Sequence, residues 1–227
     1  MLVLSLDTST DACTAAIITG KGPAYEITIP VKTGHAGSLL PVIDTLFHVS
    51  PFSKEDIGLI AVGVGPGSFT GIRIGIATAK GLAFGLNIPL AGVNTLDAIA
   101  QGALPSAVPV MPVIDARKSE IFCRLYSPNG NPITQPMNVK PAELDGMIDK
   151  ETLFIGNAVP LYRETLSGIL GDRFVEGPPH LWYPRASVIG RMALSDFTAG
   201  NLHPALPQYV RSSDAMILLE KKRLKKS

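Results

Sequence analysis

One pattern constrains the fold of this chain more than any other, because it occurs twice. Residues 3–27, "VLSLDTSTDACTAAIITGKGPAYEI", run as a short apolar stretch, Asp7, a polar turn, a second apolar stretch, a Gly-rich turn and a third stretch. Residues 110–134, "VMPVIDARKSEIFCRLYSPNGNPIT", repeat that order with Asp115, a polar turn and an Asn-Gly turn. The apolar stretches are too short for helices, and turns of this chemistry close β-hairpins. Cys13 and Cys123 fall on corresponding second strands. A period of roughly a hundred residues is far longer than a solenoid repeat, so two related domains are expected.

After each meander, strands and helices alternate. "GHAGSLLPVIDTLFHVS" places Leu39, Ile43 and Leu46 at helical spacing. Pro41 is tolerated only in a first turn, which starts that helix near Ser38 or slightly before. "IGLIAVGVG" is a buried strand, a long helix follows it, "IPLAGVN" is a short strand and "TLDAIAQGAL" a helix capped by Asn94 or Thr95. Three prolines in "LPSAVPVMP" mark the boundary, dividing the chain into 1–104 and 105–227, with the last ~20 residues packing back on the first domain. In the second half "AELDGMI", "AVPLYRETLSGIL" and "ASVIGRMALSDFTAG" are helices, "TLFIG" is a strand and "EGPPHLWYP" a loop. Such alternation predicts an α/β fold with mixed sheets flanked by helices.

The long helix carries the main puzzle. In "GVGPGSFTGIRIGIATAKGLAFGLNIP", residues 63–89, glycine recurs at 71, 75, 81 and 85. Each interior glycine costs about 1 kcal/mol relative to alanine. Ser68 is the expected N-cap, and Asn87 with Pro89 supplies the stop. Ile72, Ile76, Ala79, Ala83 and Leu86 form one seam for the domain's own sheet, while Gly71, Gly75, Thr78, Leu82 and Gly85 form a second on another face. A helix apolar nearly all round is buried on more than one side, and glycines spaced by four let another backbone approach. The second seam therefore predicts contact with a foreign helix pair; the alternative is burial within its own domain.

Composition and motifs exclude more than they assign. The chain is 46% hydrophobic and 17% charged, which supplies ample core material. No apolar run approaches the roughly 18 residues of a membrane span, "MLVLSLD" lacks a basic leader region, and paired disulfides are not expected, so a soluble cytoplasmic protein is predicted. The ending "EKKRLKKS" concentrates positive charge at Lys221, Lys222, Arg223, Lys225 and Lys226. It reads either as an arm for RNA phosphates or as a solvated tail. His35, His48, His180 and His203 have no second histidine at helical ligand spacing, and neither cysteine belongs to a C-x-x-C pair. "GVGPGSFTG" lacks both the Gly-Lys-Ser/Thr of a P-loop and the Rossmann spacing, so it reads as a rigid turn delivering the helix. Asp7 and Asp115 could hold a metal–phosphate, but their turns lack the glycines that admit a phosphate, which favours simple turn capping.

Together, "LSLDTSTDAC", "GHAGSLLP", "GVGPGSFTGIRIGIATAKGLA", "PLAGVNTLDAIA", "VIDARKSEIF" and "PQYVRSSDA" resemble the bacterial TsaB family, also called YeaZ, through nearly the whole chain. The resemblance implies two actin-like, Hsp70-like (ribonuclease H-like) domains. It implies a non-catalytic scaffold that supports TsaD in threonylcarbamoyl transfer to the adenosine beside the anticodon of tRNAs reading ANN codons. Expected partners are TsaD as a heterodimer, TsaE on that assembly, a second copy as a homodimer, and tRNA indirectly, with no membrane. ATP and metal belong to the partner subunits, and this chain alone binds no cofactor. Relatives that catalyse carry H-x-x-x-H on the first helix; here His35 is followed by Leu39, so the second ligand is missing. The implied interface, on helices near 35–48 and 69–86, comprises His35, Leu39, Leu40, Ile43, Phe47, Gly71, Ile74, Gly75, Thr78, Leu82 and Gly85. Asp7, Thr8, Ser9 and Asp115 are expected to be a vestigial nucleotide loop. The alternative reading is an active actin-fold ATPase or a metal-dependent hydrolase of the glycoprotease kind.

Overall fold

The computed structural model describes residues 1–20, 24–31 and 35–211. The basic tail, and with it both readings of Lys221 to Lys226, lies outside the described residues. Strands β1 (Leu2–Asp7), β2 (Ala12–Thr19) and β3 (Ala24–Pro30) form an antiparallel meander. Helix α1 (His35–Val49) then leads to β4 (Ile57–Gly63), and α2 (Phe69–Leu86) to β5 (Leu90–Val93), both strands joining in parallel. The sheet order is β3-β2-β1-β4-β5. Helix α3 (Thr95–Gln101) follows, and the pattern begins again with β6 (Val110–Arg117), β7 (Glu120–Cys123) and β8 (Met137–Val139). Next come β9 (Thr152–Ile155), α4 (Val159–Leu170), β10 (Phe174–Glu176) and α5 (Ala186–Thr198). The second sheet, β10-β9-β6-β7-β8, is the first one read from its other end. Asp7 ends β1 and Asp115 lies near the end of its counterpart β6, while Cys13 and Cys123 lie on β2 and β7. The repeated pattern in the sequence is thus a repeated topology.

Both faces of the first sheet are covered, which explains its long apolar strands. Leu4, Leu6, Ile17, Ile60 and Val62 point towards α1 and α2, against Leu39, Leu46, Ile72, Ile76 and Ala79. Their neighbours Val3, Ala16, Ile18, Leu59 and Ala61 point the other way, against Ala186, Ile189 and Ala193 of α5. That alternation is the two-residue period of a strand. Helix α5 comes from the second half of the sequence, and α3 makes the reverse crossing. Leu96 and Ile99 pack with Val110, Ile114, Phe122 and Ile155 of the second sheet.

Four local readings differ from expectation. Helix α1 begins at His35, so Pro41 sits in its interior. Pro41 and Gly37 are both on the exposed side, where the carbonyl left without an N–H partner meets water. The run 131–134 is not a strand: beyond the Asn-Gly turn, β8 forms only at Met137–Val139, after Pro132 and Pro136, which lack ladder donors. Residues Pro141–Gly146 form a 3-10 turn instead of an α-helix. The short strand β10, in "RFVEG", is too brief to carry a periodic signal in the sequence. Among the described residues no helix is long and apolar enough to cross a membrane.

Candidate docking face and the closed aspartate loop

Helix α2 begins as its sequence requires. The Ser68 hydroxyl accepts from the Gly71 N–H at 3.2 Å, and Asn87 ends the helix in the left-handed conformation with φ 53°. Its glycines then divide into two kinds. A Cβ on Gly71 would stand 1.9 Å from the Thr8 carbonyl oxygen, and one on Gly75 would stand 2.6 Å from Thr8 Oγ1. Nothing lies within 4 Å of a Cβ added to Gly81 or Gly85. The expectation of a single open glycine stripe is corrected accordingly. Gly71 and Gly75 are buried so that the chain's own β1–β2 loop can cross the helix, while Gly81 and Gly85 are exposed.

The other residues expected at an interface sort in the same way. Leu39 and Ile43 are buried in the core, a correction that follows from their position against the sheet. Phe47, Ile74 and Leu82 are half-buried at the edge of that core, and Thr78 is half-buried as well. Leu40 is 56% exposed. The side chain of His35 lies outside the described residues. The outer side of α2 carries Thr70, Arg73, Ala77, Lys80, Gly81, Phe84 and Gly85, and Phe84 is 89% exposed. Leaving a phenylalanine in water forgoes about 1.5–3 kcal/mol of burial. The glycine seam does not include Phe84, which lies one residue past the buried Ala83 and so off the core seam. Because Gly81 supports no neighbour, Gly81→Ala is expected to stabilise the isolated chain by about 0.5–1 kcal/mol. Urea denaturation checks this, and a loss of stability would mean that the site is already filled.

The aspartate loop is closed. Asp7 is fully buried, and its Oδ1 accepts from the Ser9 N–H and the Ser9 hydroxyl, each at 2.8 Å. Its Oδ2 accepts from the Thr95 hydroxyl at 3.4 Å and fills the space where Gly63 has no side chain, 1.7 Å from a Cβ there. The loop before α2 folds down onto it: the Ser68 N–H donates to the Ser9 carbonyl at 2.6 Å, and the Thr8 hydroxyl donates to the Gly71 carbonyl at 2.7 Å. Thr8 and Ser9 are buried as a result. Burial pushes the Asp7 carboxyl up to about 6, against the hydrogen bonds from Ser9 and Thr95. Burial, with the nearby Asp7, likewise pushes the Cys13 thiol up to about 11.

Asp115 closes its own turn. Its carboxylate accepts from the Arg117 N–H at 2.9 Å and pairs with the Arg117 guanidinium at 3.2 Å. Asn157 links the two loops, accepting from the Asp115 N–H at 3.1 Å and donating to Asp11 at 2.5 Å. Among the described residues no group of three or more His, Cys, Asp and Glu is placed to hold a metal ion.

Known proteins resemble this chain in sequence and in fold. The family model TsaD, tRNA N6-adenosine threonylcarbamoyltransferase, matches residues 29–218. The tRNA threonylcarbamoyladenosine biosynthesis protein TsaB of Bacillus subtilis is 28% identical over 95% of this chain and 96% of its own. Escherichia coli TsaB is 40% identical over 59% of this chain and 58% of its own. The crystal structure of an uncharacterized Pseudomonas aeruginosa protein with similarity to peptidase YeaZ superposes with a TM-score of 0.78 at 28% identity, covering 92% of this chain and 99% of that one. Component A of the (R)-2-hydroxyglutaryl-CoA dehydratase of Acidaminococcus fermentans, at 14% identity and a TM-score of 0.56 over 87% of this chain and 99% of that one, shares the fold. The chain belongs to the TsaD family of tRNA N6-adenosine threonylcarbamoyltransferases, and its relatives there are the TsaB (YeaZ) proteins of tRNA threonylcarbamoyladenosine biosynthesis.

Proposed function

We propose that this chain serves tRNA threonylcarbamoyladenosine biosynthesis as a non-catalytic subunit that docks a TsaD transferase through the outer face of α1 and α2. The exposed ring of Phe84 beside two open glycines carries the reading. The glycines let a second helix come close, and the ring then leaves water. Leu40 and Val49, 56% and 61% exposed, extend the apolar surface along α1. Without TsaD, the same face closes on a second copy, and TsaE joins the assembled pair. The sealed Asp7 loop supports the non-catalytic role, with ATP and metal held by the partners.

The experiment is a calorimetric titration of the full chain with TsaD. Phe84→Asp is expected to weaken binding at least tenfold while the unfolding midpoint of the isolated chain stays put, because the ring supports nothing in the monomer. Binding as tight as wild type would sink the docking reading. Saturable ATP turnover by the purified chain, lost in Asp7→Asn, would instead favour an active ATPase.

A further inference from the structure

Arg73 stands on the outer side of α2 in its first turns. Its guanidinium carbon lies 3.9 Å from the centroid of the Phe69 ring, and its Nε donates to the Tyr209 hydroxyl at 3.1 Å. Tyr209 stacks on Phe69, with centroids 4.4 Å apart and planes 24° apart. The segment that carries Tyr209 runs back from the second half of the chain and is fastened to the first. Gly92 N–H donates to the His203 carbonyl at 2.9 Å, Gln208 N–H donates to the Val64 carbonyl at 2.8 Å, and Asn94 donates to the Gln208 side chain at 2.7 Å. Gly92 permits the crossing, since a Cβ there would stand 2.5 Å from the Pro204 carbonyl oxygen. Two rings and a hydroxyl thus fix the arginine before any partner arrives.

Fixed as it is, it has no counter-ion among the described residues. Arg117, Arg124, Arg163, Arg173, Arg185 and Arg211 each pair with a carboxylate, whereas among the described residues Arg73 and Arg191 pair with none, and of these two it is Arg73 that is held against an aromatic ring. A long arginine side chain gives up much rotamer freedom when it is held, which a merely solubilising residue has no reason to surrender. Stacking and the bond at Nε leave the terminal N–H groups available, and that planar fork matches a carboxylate. Charge decides what the occupant offers. Helix α2 has no acidic residue, and α1 has one, Asp44, which already faces His48 at 3.6 Å. Arg73 and Lys80 make the outer side of α2 cationic beside Phe84.

Resting on the docking reading above, we propose that Arg73, held by Phe69 and Tyr209, is the polar anchor of this face and receives a carboxylate of the TsaD partner. Tyr209 is a positioning residue that acts through it.

Titration of the full chain with TsaD between about 50 and about 300 mM salt tests this. Arg73→Gln is expected to weaken binding about tenfold and to flatten its salt dependence. Tyr209→Phe, which keeps the ring, is expected to weaken it about threefold with the unfolding midpoint unchanged, and Arg73→Lys fails to restore wild-type affinity. If Arg73→Gln binds as wild type at both salt levels while Phe84→Asp does not bind, the carboxylate is refuted and the docking face stands. If Phe84→Asp also binds as wild type, the docking reading fails first. Should Asp44→Asn and Arg73→Gln weaken self-association alike and leave TsaD binding intact, the counter-ion belongs to a second copy and the assignment to TsaD is overturned.

Discussion

Gly71→Ala is expected to destabilise the chain by about 3 kcal/mol or more, although alanine is the better helix former. The added methyl would stand 1.9 Å from the Thr8 carbonyl oxygen, a backbone atom in a loop that cannot swing aside. That loop is bonded on both sides, by the Thr8 hydroxyl to the Gly71 carbonyl and by the Ser9 carbonyl to the Ser68 N–H. Relieving the clash lifts the loop, breaks both bonds and exposes Asp7. For a domain held by about 5–15 kcal/mol, such a loss is a large share of the total. Urea denaturation of Gly71→Ala beside Gly81→Ala is decisive, because propensity alone ranks the two identically. Equal midpoints for the two variants would show that the loop does not press on the helix.

The second large effect is in pH. Asp7 titrates near 6 in the folded chain and near the ordinary 3.8 when unfolded, because burial disfavours its charge. With a raised folded pKa, the contribution to stability is fully present below about pH 4, where both states are protonated, and is lost as pH rises through 6. The loss amounts to about 3 kcal/mol at an order-of-magnitude level. Asp7→Asn keeps an acceptor for Ser9, gains a donor towards Thr95 and has no charge to desolvate. It is expected to be more stable than wild type at pH 8 and nearly equal to it at pH 4. The difference between the two proteins is the quantity to measure, because Glu176 and Glu120 pull the other way. The Arg163 guanidinium holds the Glu176 carboxyl below its ordinary range, and Asn138 and Arg211 do the same for Glu120. A difference that does not change with pH would mean that the Asp7 carboxylate is hydrated in the folded chain.

What could be read along the chain was whatever has a short period. Ser68, Asn94 and Asn87 mark helix ends through their own side chain or backbone, and the structure uses all three there. Ile72, Ile76, Ala79 and Ala83 repeat at helical spacing and are buried. Pro41 misled because its tolerance depends on which side of α1 meets water, and β10 escaped notice because three residues carry no period. The candidate site was legible in part. Phe84 lies off the buried seam by position alone, but nothing near Arg73 in the sequence announces Tyr209, 136 residues away.

The sequence by itself determined the duplication: two meanders, two aspartates and two cysteines in matching places, each a property of neighbouring residues. Tertiary structure alone decided which glycines of α2 serve the chain's own interior and which are left exposed. Glycine looks the same at 71 and at 85; the difference is a carbonyl oxygen from Thr8, remote in sequence, that lies over one and not the other. Long-range packing creates that distinction, and no local pattern carries it.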